Sequence, residues 1–147
     1  DEIQVYIAPR WLNVCDIKAP ETGLELKFSY VFLAAMVLRG VNLSAYESYD
    51  DGLCQDADLI ALAKRVKIIG DDQIADGAAR VDLKQKDGQS RSQSFDLLSP
   101  IDPVLLGTRL LAKAKALIGD DRANDLWAMT NALELVSASD LAAKLQG

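Results

Sequence analysis

Histidine is absent from the 147 residues. That gap removes Ser-His and Cys-His nucleophilic machinery and most zinc sites. Cysteine is almost as scarce: Cys15 and Cys54 stand alone, with neither metal-ligand spacing nor the density of a small secreted framework. The sequence therefore predicts two buried, reduced thiols and a cytoplasmic setting. Lys and Arg number 16 against 22 Asp and Glu, a net charge of -6, and no basic stripe gathers anywhere. Phosphate contacts need clustered cations, so nucleic acid is excluded as a partner. The uncharged apolar run from 28 to 38 covers 11 residues, whereas a bilayer span needs about 20, so no membrane partner is expected. Gly23, Gly40, Gly52, Gly70 and Gly77 are isolated, so no phosphate-cradling loop forms and no cofactor is implied. Asp50 and Asp51 are adjacent, but the calcium-loop spacing is not met, and they read as a solvated turn. An initiator Met is also missing, and the chain is expected to be a segment of something longer.

What is present is the composition of a globular domain. Half of the residues are hydrophobic, and a chain of this length buries roughly 70% of its unfolded surface, enough for one full domain.

The rest of the chain is organised around the stretch from Pro20 to Gly40. Residues 28 to 38 carry no charge, which predicts a helix without a solvent face. Thr22 with Glu25 three positions on fits a capping box, and Gly40 fits the left-handed position past a helix end. Ahead of it, Ile3, Val5 and Ile7 alternate with polar residues as in a half-buried strand limited by Pro9. Residues 11 to 17 are apolar but irregular, and 41 to 55 are mostly loop with one helical turn near 45 to 48. Leu59, Leu62, Ala63 and Val66 form the stripe of a second helix, capped by Asp56. Residues 67 to 70 come next as a short strand.

Residues 80 to 84 and 92 to 97 flank a turn at Asp87-Gly88. A three-residue loop, Lys86-Asp87-Gly88, sets Val81, Leu83, Phe95 and Leu97 on one face and leaves Arg80, Asp82, Lys84, Ser92 and Ser94 to solvent. From Pro100 the pattern is helical. Asp102 caps with Pro103 in the first position, and Leu106, Leu110 and Leu117 make a stripe ended by Gly119. Asp120 or Asp121 starts a helix on which Ala123, Leu126, Trp127, Thr130 and Leu133 share a face. Ser137 with Asp140 resembles a capping box for a last helix.

The predicted architecture is α+β: a mainly antiparallel sheet of about four strands, 2 to 8, 66 to 70, 78 to 85 and 90 to 97. Helices at 28 to 39 and 57 to 66 pack on one face. This small domain occupies 1 to 100, and a helical tail occupies 101 to 147. Polar candidates gather at the mouth of the buried helix: Glu25, Lys27, Ser29 and Tyr30. A lysine against an apolar interior can move protons or hold a carboxylate as a point charge. Equally, a capping Glu and a snorkelling Lys are ordinary residues at a helix start.

Glu25-Leu26-Lys27-Phe28-Ser29, the alanine-containing helix and Gly40, preceded by Pro20-Glu21-Thr22-Gly23, resemble the small domain of the 2-methylcitrate dehydratase family (MmgE/PrpD). The order of the segments C-terminal to Gly40 agrees: the acidic loop at Tyr49-Asp50-Asp51, the helix running into Arg65-Val66-Lys67-Ile68, the hairpin at Asp87-Gly88 and the helical tail. The resemblance implies a metal- and cofactor-independent lyase or isomerase acting on a small di- or tricarboxylate by dehydration, decarboxylation or epimerisation. It implies that the catalytic residues lie outside this chain, in a larger N-terminal helical domain, and that the small domain closes one side of the cleft. The tail is then expected to pack on that domain; without it, the tail pairs with a second copy, giving a homo-oligomer, or folds back on the sheet. The alternative from a different class is a non-catalytic ligand-binding or dimerisation module.

Overall fold

The structure is a computed structural model that describes residues 2–85 and 87–146. The chain divides into two compact units, Asp1–Leu43 with Glu47–Pro100 and Ser44–Tyr46 with Ile101–Gly147.

The first unit holds β1 (Glu2–Ile7), β2 (Val66–Gly70), β3 (Ala78–Lys84) and β4 (Ser90–Asp96) in the order β2-β1-β3-β4. β1 runs parallel to β2 and antiparallel to β3, and β3 is antiparallel to β4. The fold is thus α+β, with a mixed, mostly antiparallel sheet. Its parallel pair arises because the chain leaves β1, forms its helices and returns to pair on the same strand, a crossover that reverses no direction. Val5 stands between Ile68 and Val81, and Ile3 between Val66 and Leu83. The alternation expected at the start of the chain thereby becomes one continuous apolar face.

The β3–β4 hairpin has the expected register, with Ala79 opposite Phe95 and Val81 opposite Gln93; Lys86, in its loop, lies outside the described residues. The solvent face is as expected. Arg80 lies 3.9 Å over the Tyr6 ring and pairs with Asp82, which also accepts a hydrogen bond from Ser92 Oγ. The apolar side of this hairpin is not covered: Phe95 is 56% exposed and Leu97 75%.

Three helices belong to this unit: α1 (Gly23–Leu26), α2 (Tyr30–Leu38) and α3 (Ala57–Ala63). The single helix expected from 28 to 39 is corrected in two ways. The Thr22–Glu25 box caps only the one-turn α1, Thr22 Oγ1 accepting the Glu25 N–H at 3.2 Å. The buried helix begins afresh behind Ser29, whose extended backbone breaks the run. Nor is α2 without a solvent face. Val31, Phe32, Ala35 and Met36 are buried, while Val37 and Leu38 are open. Burial of each large side chain stabilises by about 1.5–3 kcal/mol, so Phe32 and Met36 anchor the helix. Gly40 ends it as expected, at φ +75°, with the Val41 N–H closing on the Met36 carbonyl.

α3 is three residues shorter than expected, because Lys64 and Arg65 turn the chain into β2, but its Asp56 cap is in place at 2.9 Å from the Leu59 amide. Arg39 joins the ends of α2 and α3 through Asp56, at 2.6 Å. Two segments expected to be irregular are 3₁₀ turns, Pro9–Asn13 and Asp51–Gln55, the second capped by Asp50. Both cysteines are free thiols; Cys54 is buried, whereas Cys15 is only half-buried.

The second unit holds α4 (Pro103–Ile118), α5 (Asp120–Asn131) and α6 (Ala138–Gln146). Asp102 caps α4 through the Val104 and Leu105 amides, and Ser137 caps α6 through the Asp140 amide. The expected α5 stripe is cut short: the helix ends at Asn131, and Leu133 lies in the next 3₁₀ turn and is exposed. Ala123 is buried and Trp127 half-buried, its ring against Gly107 of α4. The α4 stripe of Leu106, Leu110 and Leu117 is largely open to solvent.

Candidate functional site

The turn before α2 is built by a glycine. A Cβ on Gly23 would overlap the backbone carbonyl of Tyr49, and the Gly23 N–H donates to Asp51 Oδ1 at 2.6 Å. The acidic loop is therefore clasped against α1. Asp50 and Asp51 are solvent-exposed, as a solvated turn requires, but each also holds backbone: Asp50 the Gly52 amide and Asp51 the Gly23 amide. A conventional reading of Asp-Asp-Gly misses this, since Asp51 and Gly23 are distant in sequence and neither forms a motif with the other.

The four candidates at the mouth of α2 have different surroundings. Lys27 is half-buried, its ammonium 4.7 Å from the centre of the Tyr49 ring, a cation–π contact. The Glu25 carboxylate accepts the Glu21 N–H at 2.6 Å. Ser29 is fully buried: its hydroxyl donates to the Ile17 carbonyl at 2.5 Å and accepts the Phe32 N–H at 3.4 Å. Its role in this geometry is to cap α2 and to bind the preceding loop. Tyr30 is half-buried and lines an apolar groove of about 360 Å³ with Leu33, Ala34, Val37, Val81 and Leu83.

Burial, and then the hydrogen bond and charge of Cys15, push the Tyr30 hydroxyl up to about 12. At neutral pH it is a proton donor, never a phenolate. The Cys54 thiol is pushed up by burial and by the nearby carboxylates of Asp51, Glu25 and Asp50. Cys54 belongs to the core cluster. Among the described residues no three His, Cys, Asp or Glu side chains gather as a metal site, and no helix is long and apolar enough to cross a membrane. What this region offers chemically is one cation on an aromatic face and one protonated phenol, with carboxylates around them.

A second concavity, of about 680 Å³, lies along β2. Its apolar floor includes Val31, Phe32, Ile60 and Ala63, and Lys18, Lys64 and Lys67 contribute to its lining. Lys64 caps the C-terminal end of α3 and Lys67 lies on β2. Their placement beside a free sheet edge depends on β2 being the outer strand, which periodicity does not specify.

No protein-family model matches this chain, and no curated protein matches it.

Proposed function

We propose that this chain is the small domain of a metal-independent lyase or isomerase acting on a small di- or tricarboxylate, and that it completes an active-site cleft formed with a helical domain. The reading is supported by the likeness to the 2-methylcitrate dehydratase family and by the order of acidic loop, hairpin and helical tail. The observation that carries it is Lys27, a half-buried cation held on the Tyr49 ring at the start of α2. A lysine so placed can hold a substrate carboxylate as a point charge. With no histidine in the chain, the acid-base pair is assigned to the helical domain.

The test is turnover of 2-methylcitrate, cis-aconitate and related polycarboxylates by the parent polypeptide and by the 147-residue chain, with and without EDTA. The parent is expected to turn over at least one of them with EDTA present, and the chain alone none. Failure of the parent on the whole panel, with no thermal shift from any of the compounds, overturns the reading.

A further inference from the structure

β2 is an outer strand with an open edge. In its parallel pairing with β1, the Ile3 N–H reaches the Arg65 carbonyl at 3.1 Å and the Asp71 N–H reaches the Ile7 carbonyl at 2.9 Å. Residues 65, 67, 69 and 71 therefore turn their backbone groups inward to β1, and Val66 and Ile68 turn theirs outward. Among the described residues, the outward N–H and C=O groups of Val66 and Ile68 have no hydrogen-bond partner. Val66 to Ile69 line the 680 Å³ groove, so the concavity runs along this same edge.

The two sides of the strand differ in chemistry. On the apolar side the groove is bounded by Phe32, Ile60 and Ala63; on the opposite side of the strand stands Lys67. Lys18, Lys64 and Lys67 belong to the groove lining and no acidic residue does, in a chain of net charge -6. Lys18 and Lys67 are exposed and pair with the half-buried carboxylates of Asp16 and Glu2; ion pairs with a solvated partner contribute about 0–1 kcal/mol, so an acidic ligand can compete for the lysines. Lys64 has no partner among the described residues.

We propose that this edge is a docking site for an extended acidic-apolar segment of another polypeptide, which adds to the sheet as a fifth strand beside β2. Backbone hydrogen bonds to Val66 and Ile68 hold it. Its alternate apolar side chains fill the groove, and the acidic ones between them meet the lysines. This is strand addition, in which the backbone supplies affinity and alternate pockets supply specificity. A second copy of the chain is the wrong occupant: β2 paired with its own twin sets Lys18, Lys64 and Lys67 against their equivalents, and like charges there are repulsive. A small aliphatic carboxylate would fill the groove but leave the edge amides unpaired.

The probe is a fluorescein-labelled hexapeptide of alternating glutamate and valine, with two further versions N-methylated at the glutamates or at the valines. Only alternate peptide amides face β2 in a strand pairing. One methylated version is therefore expected to bind at least about tenfold more weakly and the other like the parent. Lys64→Glu should weaken the parent peptide to a similar degree and leave the circular dichroism of the chain unchanged. Amide exchange at Val66 and Ile68 should slow on binding, and at Lys67 and Ile69 stay as it was. The proposal is overturned by any of three results: no saturable binding, equal binding of all three peptides, or displacement of the peptide by octanoate with no effect of methylation. A dimer of the free chain with protected Val66 and Ile68 amides overturns it as well.

Discussion

Gly23 lies under the backbone carbonyl of Tyr49, so close that the space belongs to one or the other. This contact sets the acidic loop against the turn that leads into α2, and the Asp51 bond to the Gly23 amide locks it. Gly23→Ala must displace backbone, not a flexible side-chain tip. The expected loss is about 1–3 kcal/mol, as for other overpacked sites, read from urea midpoints at constant slope. A variant as stable as the parent would show that the loop is not clasped this way.

Lys27 is the residue on which the catalytic reading and an ordinary structural role diverge. On the proposed function, Lys27→Met in the two-domain polypeptide is expected to weaken turnover or carboxylate binding while the melting temperature stays nearly unchanged. Losing the contact of the half-buried Lys27 with Tyr49 costs about 0.5–2 kcal/mol. Lower stability with full activity would instead make Lys27 a packing residue on the Tyr49 ring.

Tyr30 predicts a loss of stability in alkali. Its folded value of about 12 lies above the ordinary value of 10, chiefly because burial disfavours the phenolate. The protonated form is favoured by the fold, so the stabilisation is complete below pH 10 and is lost as pH rises from 10 towards 12. Urea midpoints should fall over that range and fall less steeply in Tyr30→Phe. Equal slopes for the two proteins would remove Tyr30 from the account.

Gly107 lets the Trp127 ring approach α4, with Cζ2 at 3.3 Å from where a Cβ would stand. In a Trp11→Phe background, Gly107→Leu should shift Trp127 emission to the red and destabilise by about 1–3 kcal/mol, although leucine is the better helix former by about 1 kcal/mol. Gly107→Ala, in which propensity and crowding oppose each other, should stay close to the parent. Unchanged emission in the leucine variant would mean that Trp127 packs elsewhere.

Short-range rules in the sequence place most of the elements and several of their ends, although the run from 28 to 39 divides at Ser29 and α3 stops at Ala63. Two-residue alternation at Ile3, Val5 and Ile7, the caps at Asp56, Asp102 and Ser137, and the left-handed Gly40 all express short-range rules, and each is found in place. The hairpin register was legible too, because only one slip of β3 on β4 puts the apolar residues on one face. The remainder depends on contacts between segments far apart in the chain. Ser29 reads as polar and available, yet it is enclosed, because its hydroxyl serves the Ile17 carbonyl of a loop twelve residues earlier. Phe95 and Leu97 read as core, yet they are exposed, because α2 packs towards β2 and neither α2 nor α3 packs on β4. Periodicity tells which face of a strand is apolar; which strand lies outermost and what covers it depend on the pairing of distant segments. That is why β1 had to gain both β2 and β3 as neighbours before Val66 and Ile68 could be seen as an open edge.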